Sequence, residues 1–168
     1  MATQNTFSPN TKISSSQVNA NFTALWGSPQ GNPYKFSVYT TGSTTGTINT
    51  STVIAFGGKL YDTGNNFSAN VFTVPVTGYY HFDSCVWEIR GTNTGYDSTA
   101  IFVNGVEALE SNRLQLGSGA NCSWICNGSL FLTAGQTVDL RIYSDGAAAT
   151  VQISQNRSYF MGFLVSLT

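Results

Sequence analysis

The chain has 168 residues, a formal net charge of −1 and only 9% charged side chains, against about 25% in ordinary soluble proteins. That length suits one domain with a short appendage and can bury a core without disulfides. The near-neutral charge, with no basic stripe, argues against a nucleic-acid partner, and no apolar run is long enough for membrane insertion as a helix.

The N-terminus, "MATQNTFSPNTK", lacks the apolar stretch of a secretory leader, which predicts folding in a cytosol. Next comes "ISSSQVNANFTALWG", the one helical pattern. Val18, Phe22 and Leu25 form an apolar stripe with Trp26 beside it. Ser14 and Gln17 have capping-box spacing, and Gly27 stands where a C-terminal cap is expected. A helix of about 12 residues is marginal alone in water. Residues 1–27 must therefore dock on their own domain, on copies of themselves or on a larger partner. Residues 28–33, "SPQGNP", read as a linker.

From Tyr34 onward the pattern is short strands and turns. Strands are predicted at 34–40, 52–56, 70–75, 79–89, 98–103, 121–132, 137–143, 149–154 and 158–167. Without βαβ alternation, this predicts an all-β sandwich or barrel. In 79–89, Tyr80, Phe82, Ser84 and Val86 alternate with Tyr79, His81, Asp83, Cys85 and Trp87. A half-buried strand should be apolar on one face only, yet both faces carry aromatics. Asn104-Gly105 signals a hairpin, and Gly135 serves a second turn. Cys122 and Cys126 share a face with Trp124. Four strand residues span about 13 Å, too far for a bridge between them, so they read as small buried groups. The last strand repeats the two-faced pattern, with Phe160, Gly162 and Leu164 alternating with Tyr159, Met161, Phe163 and Val165.

Taken in order, "YKFSV", "FTVPVTGYYHF", "AIFVNGVE", "SLFLTAGQTVDLRI" and "SYFMGFLVSL" resemble the globular head of complement C1q, within the tumour necrosis factor-like superfamily. The matching positions are Phe72, Pro75, Gly78, Tyr80 and Phe82, then Asn104-Gly105. They continue with Leu130, Leu132, Gly135, Val138 and Leu140, and close at Phe160, Gly162, Phe163 and Leu164. The series covers about four-fifths of the chain. Two departures stand out: Gln136 replaces a usually acidic residue, and no collagen-like repeat occurs. The resemblance implies a ten-strand jelly roll over 34–168 that assembles as a homotrimer. It further implies that the two-faced strands pack the core on one side and neighbouring subunits on the other. Tyr79, His81, Trp87, Tyr159, Met161 and Phe163 are then the expected trimer-interface residues.

The front segment "NTKISSSQVNANFTAL" resembles a short motif found beside tail and fibre modules of bacteriophage virion proteins. It implies a particle-anchoring role for Val18, Phe22, Leu25 and Trp26, with another virion protein as partner. Together the two resemblances imply a non-enzymatic virion subunit on the outer surface of the particle: a fibre, spike or capsid decoration. The alternative is an adhesion tip that binds a host-surface glycan or protein, with Tyr61, Tyr96 and Trp87 as candidate contacts.

The residues offer little for catalysis. His81 is the single histidine, so a histidine-based nucleophile has one candidate base; on its strand it reads as a packed or inter-subunit residue. The eight acidic residues form no D-x-D-x-D calcium loop, and three cysteines with one histidine do not suggest a zinc site. No cofactor is expected. Sequons begin at Asn21, Asn49, Asn66, Asn121, Asn127 and Asn156 and should stay bare without a secretory route.

Overall fold

Alternating apolar and polar residues, punctuated by Asn and Gly, fold from residue 34 onward as two antiparallel sheets. The computed structural model describes residues 14–16, 32, 34–152 and 157–167. Contacts divide the chain into Met1–Pro33 and Tyr34–Thr168, and the description below concerns the second unit. Val18, Phe22, Leu25 and Trp26 of the predicted helix lie outside the described residues.

The strands are β1 (Lys35–Tyr39), β2 (Thr44–Thr45), β3 (Thr52–Val53), β4 (Gly58–Asp62), β5 (Phe67–Ser68), β6 (Val71–Thr73) and β7 (Gly78–Arg90). They continue as β8 (Gly95–Val103), β9 (Val106–Glu110), β10 (Leu114–Leu116), β11 (Asn121–Leu132), β12 (Thr137–Ser144), β13 (Ala149–Val151) and β14 (Tyr159–Leu167). The first sheet runs β2-β13-β7-β14-β1-β4, with β11 on the other edge of β7. The second runs β10-β8-β12-β6-β5, with β9 also on β8 and β3 also on β12. Each of the nine predicted strands overlaps an observed one. The segments β2, β4, β5, β9 and β10 were not anticipated. β2 and β5 are two residues long, and the residues of the other three are mostly exposed, so all five carry little apolar alternation to read.

The stretch 71–87 is not a hairpin. β6 pairs in the second sheet and β7 in the first, so residues 74–77 carry the chain across the sandwich. Inward-facing rings from both sheets meet between them. Phe36 stacks on Phe67 at 5.0 Å and on Phe72 at 4.6 Å, and Phe160 meets Phe36 edge-on at 5.1 Å. Each such ring removes roughly 150–250 Å² from water. Gly162 has a steric reason. A Cβ there would meet the Phe82 ring at 2.5 Å and Phe36 at 2.9 Å, so the last strand can cross the aromatic core only without a side chain. The buried Tyr80 hydroxyl donates to the Val76 carbonyl at 2.8 Å.

The predicted turns form for the expected reasons. Asn104 and Gly105 take positive φ of 50° and 78°, the pair of left-handed residues a two-residue hairpin requires. In the turn before β12, the Gln136 side-chain oxygen accepts the Thr133 N–H at 2.7 Å. A neutral amide there does what an acidic side chain could also do.

Candidate interaction face

β7 alternates along its whole length. Gly78, Tyr80, Phe82, Ser84, Val86, Glu88 and Arg90 are buried, while Tyr79 is exposed and His81, Asp83, Cys85, Trp87 and Ile89 are half-buried. The second set faces outward, away from the core. β14 brings its own outward residues into register: Phe163 opposite His81, Met161 opposite Asp83 and Tyr159 opposite Cys85. β11 does the same from the other edge, with Phe131 opposite Tyr79, Ser129 opposite His81 and Ile125 opposite Cys85.

Five of the six sequence-predicted interface residues therefore share one continuous patch: Tyr79, His81, Tyr159, Met161 and Phe163. Trp87 is on the same face, further along β7, where the Arg157 guanidinium lies 5.0 Å from its ring centre. Sequence reasoning missed Ile125 and Phe131, which are 65% and 52% exposed. Their signal was present in the second alternation of β11, but Asn121, Ser123, Asn127 and Ser129 occupy the same face and dilute it.

The patch is apolar with a thin polar thread. Tyr79 and Phe131 pack at 5.4 Å between ring centres, and His81 and Phe163 at 5.6 Å. His81 Nδ1 lies 3.0 Å from Ser129 Oγ, and its Nε2 lies 3.2 Å from Asp83 Oδ2. Both ring nitrogens are thus held by neighbours on the same face. Burial pushes the Cys85 thiol above its usual range, which disfavours a reactive thiolate. Burial, reinforced by Cys85 and Asp83, also pushes the Tyr159 phenol up.

The remaining predicted groups are dispersed. Tyr61 stands on β4 of the first sheet and Tyr96 on β8 of the second, so with Trp87 they do not line one groove. Cys126 is buried and its Sγ lies 3.6 Å from the Leu109 carbonyl. Cys122 is only half-buried, a correction to its reading as a buried group: β11 is an edge strand, so that side chain sits beside the open margin of the sandwich. Among the described residues, no three His, Cys, Asp or Glu side chains group to hold a metal ion.

No protein-family model and no curated protein matches the sequence. Solved structures do match the described jelly roll. The Eiger TNF of S. frugiperda superposes with a TM-score of 0.62 at 10% identity, over 80% of this chain and 94% of that one. The globular domain of zebrafish complement 1qA protein gives 0.54 at 17% identity, over 80% and 99%. Murine APRIL at pH 5.0 gives 0.59 at 17% identity, over 78% and 98%. At such identities the likeness concerns the fold, which is a jelly roll of the tumour necrosis factor and C1q type.

Proposed function

We propose that the chain is a non-enzymatic structural subunit of a bacteriophage virion, displayed on the outer surface as a homotrimeric fibre, spike or capsid decoration. The observation that carries the assembly is the outer face of β11, β7 and β14. Tyr79, Ile125, Phe131 and Phe163 lie on it at 49%, 65%, 52% and 36% exposure, and these are large apolar side chains on neighbouring strands. Contiguous apolar patches of this kind mark interaction sites. The occupant we assign is a second and third copy of the chain, because the face is nearly uncharged and the fold is one that the sequence resemblance associates with trimers. The particle role draws on the "VNANFTAL" segment, with residues 1–27 as the anchor to another virion protein.

An adhesion tip that binds a host glycan or protein is the weaker reading. The exposed Tyr61 and Tyr96 favour it, but they stand on different sheets.

Native mass at micromolar concentration tests the assembly. A trimer is expected, and a stable monomer refutes it. Removal of residues 1–27 is expected to leave a folded trimer that no longer joins particles. Unchanged incorporation would refute the anchoring role.

A further inference from the structure

One end of the sandwich interior is charged. Glu88 and Arg90 point inward from the end of β7, and Asp97 and Thr99 from the start of β8. Glu88, Asp97 and Thr99 are 0% exposed and Arg90 is 1% exposed. Each nitrogen of Arg90 has a partner. Its Nη1 donates to Asp97 Oδ1, its Nη2 to the Asp145 carbonyl, and its Nε to the Asn93 carbonyl at 2.9 Å. Asp145 Oδ1 in turn accepts the Tyr96 N–H at 2.6 Å. Gly95 has no Cβ to collide with this guanidinium. One buried cation thus ties β7 to β8 and to two loops, 91–94 and 145–148.

The charge does not balance. Two buried acids face one buried base, and both Glu88 oxygens and Asp97 Oδ2 stand without a hydrogen-bond partner of normal geometry. An unpaired buried carboxylate is among the most costly groups a fold can hold. A proton on Glu88 removes the excess charge and supplies a donor for the neighbouring acid.

We propose that Glu88 and Asp97 share one buried proton, carried by Glu88, and that this proton locks the loop end of the sandwich, which loosens when alkali removes it. The electrostatics agree. Burial first, then Asp97, pushes the Glu88 carboxyl up to about 8, with the Trp124 indole and Arg90 acting the other way. Burial raises Asp97 as well, but the Arg90 guanidinium opposes the shift, so the proton rests on Glu88. The other groups facing the pair are Cys122 from β11, whose thiol is raised by burial and by Glu88, and Asp145 from the loop after β12. On β13 the residue opposite Glu88 is the uncharged Val151.

Between the ordinary glutamate value of 4.5 and about 8, the folded protein keeps a proton that the unfolded chain has lost. Stability therefore falls with rising pH across that window and flattens above it.

Infrared spectroscopy of the full chain at about pH 6 should show the carbonyl stretch of a protonated carboxyl. The band should fade with a midpoint near 8 and be absent in Glu88→Gln. Thermal melts should show wild-type stability declining across the same window while Glu88→Gln stays flat relative to it. A wild-type protein without the band overturns the proposal, whether or not the variant folds. So does a band that survives in Glu88→Gln, or melting curves of the two proteins that run parallel with pH.

Discussion

Phe102 and Tyr143 on the outward face of the second sheet each lie beneath a guanidinium. Arg141 sits 4.2 Å from the Phe102 ring centre and Arg113 sits 4.6 Å from that of Tyr143. Each cation is also paired, Arg141 with Asp139 at 2.5 Å and Arg113 with Glu110 at 2.8 Å. On the outward face of the first sheet, Tyr79 packs on Phe131 and Phe163 on His81, and these rings remain partly open to solvent. At Trp87 under Arg157 towards the end of β7, and at Tyr61, where Lys35 Nζ lies 5.6 Å from the ring centre, the first face resembles the second. An aromatic face that meets water needs a polar cover. A covering arginine gives the ring a hydrated, salt-bridged exterior; without one, the face is suited to another protein surface.

Replacing Tyr79 by Asp should have the largest effect on this contrast. A charge placed in a desolvated contact without a partner costs about 3–5 kcal/mol. The proposed trimer should dissociate at micromolar concentration while the subunit's melting temperature changes little. Val106→Asp, at a site 69% exposed in the hairpin after β8, is the matched control and should leave native mass unchanged. Equal mass shifts in both variants would erase the distinction between the faces. Phe131→Ala comes next, with a loss of about 2 kcal/mol of association, typical of a central aromatic contact, read as a higher dissociation constant by analytical ultracentrifugation.

Arg141→Ala should cost the subunit about 1 kcal/mol by removing a cation–π contact and an ion pair, without altering oligomeric state. A denaturant melt measures it, and a new self-associating species would show that the arginine was shielding Phe102. The smallest effect is acid. Hydrogen bonds from Ser98 and Arg113 outweigh burial and hold the Glu110 carboxyl below its usual value. Its contribution is therefore present above about 4.5, the ordinary glutamate value, and is lost as pH falls through the lower folded value. Glu110→Gln should flatten that acid limb slightly in a thermal titration.

The two faces of β7 were legible before any coordinates, because period-two alternation separates Tyr79, His81 and Trp87 from Tyr80 and Phe82 whatever the strand pairs with. Gly162 was visible as part of a pattern, but its reason, the Phe82 ring across the strand, was not. The edge strand β11 was correctly bounded at 121–132, yet its exposed Ile125 and Phe131 were hidden among amides and hydroxyls. The charged end of the core was illegible. Glu88 and Asp97 are two of eight scattered acidic residues that form no motif, and nothing in the local spacing of Glu88, Arg90 and Asp97 marks them as buried.

Local pattern in the sequence, then, fixes which residues share a side of each long strand, where the tight turns fall and that the fold is all-β. These depend on interactions between residues near in the chain, through side-chain period and backbone φ. The tertiary arrangement puts β7, β11 and β14 side by side and joins their outward rings into one face. It also decided that Arg90 meets Asp97 and Asp145 inside the sandwich. Both outcomes depend on strand order and on the closure of long loops, and neither leaves a trace in local pattern.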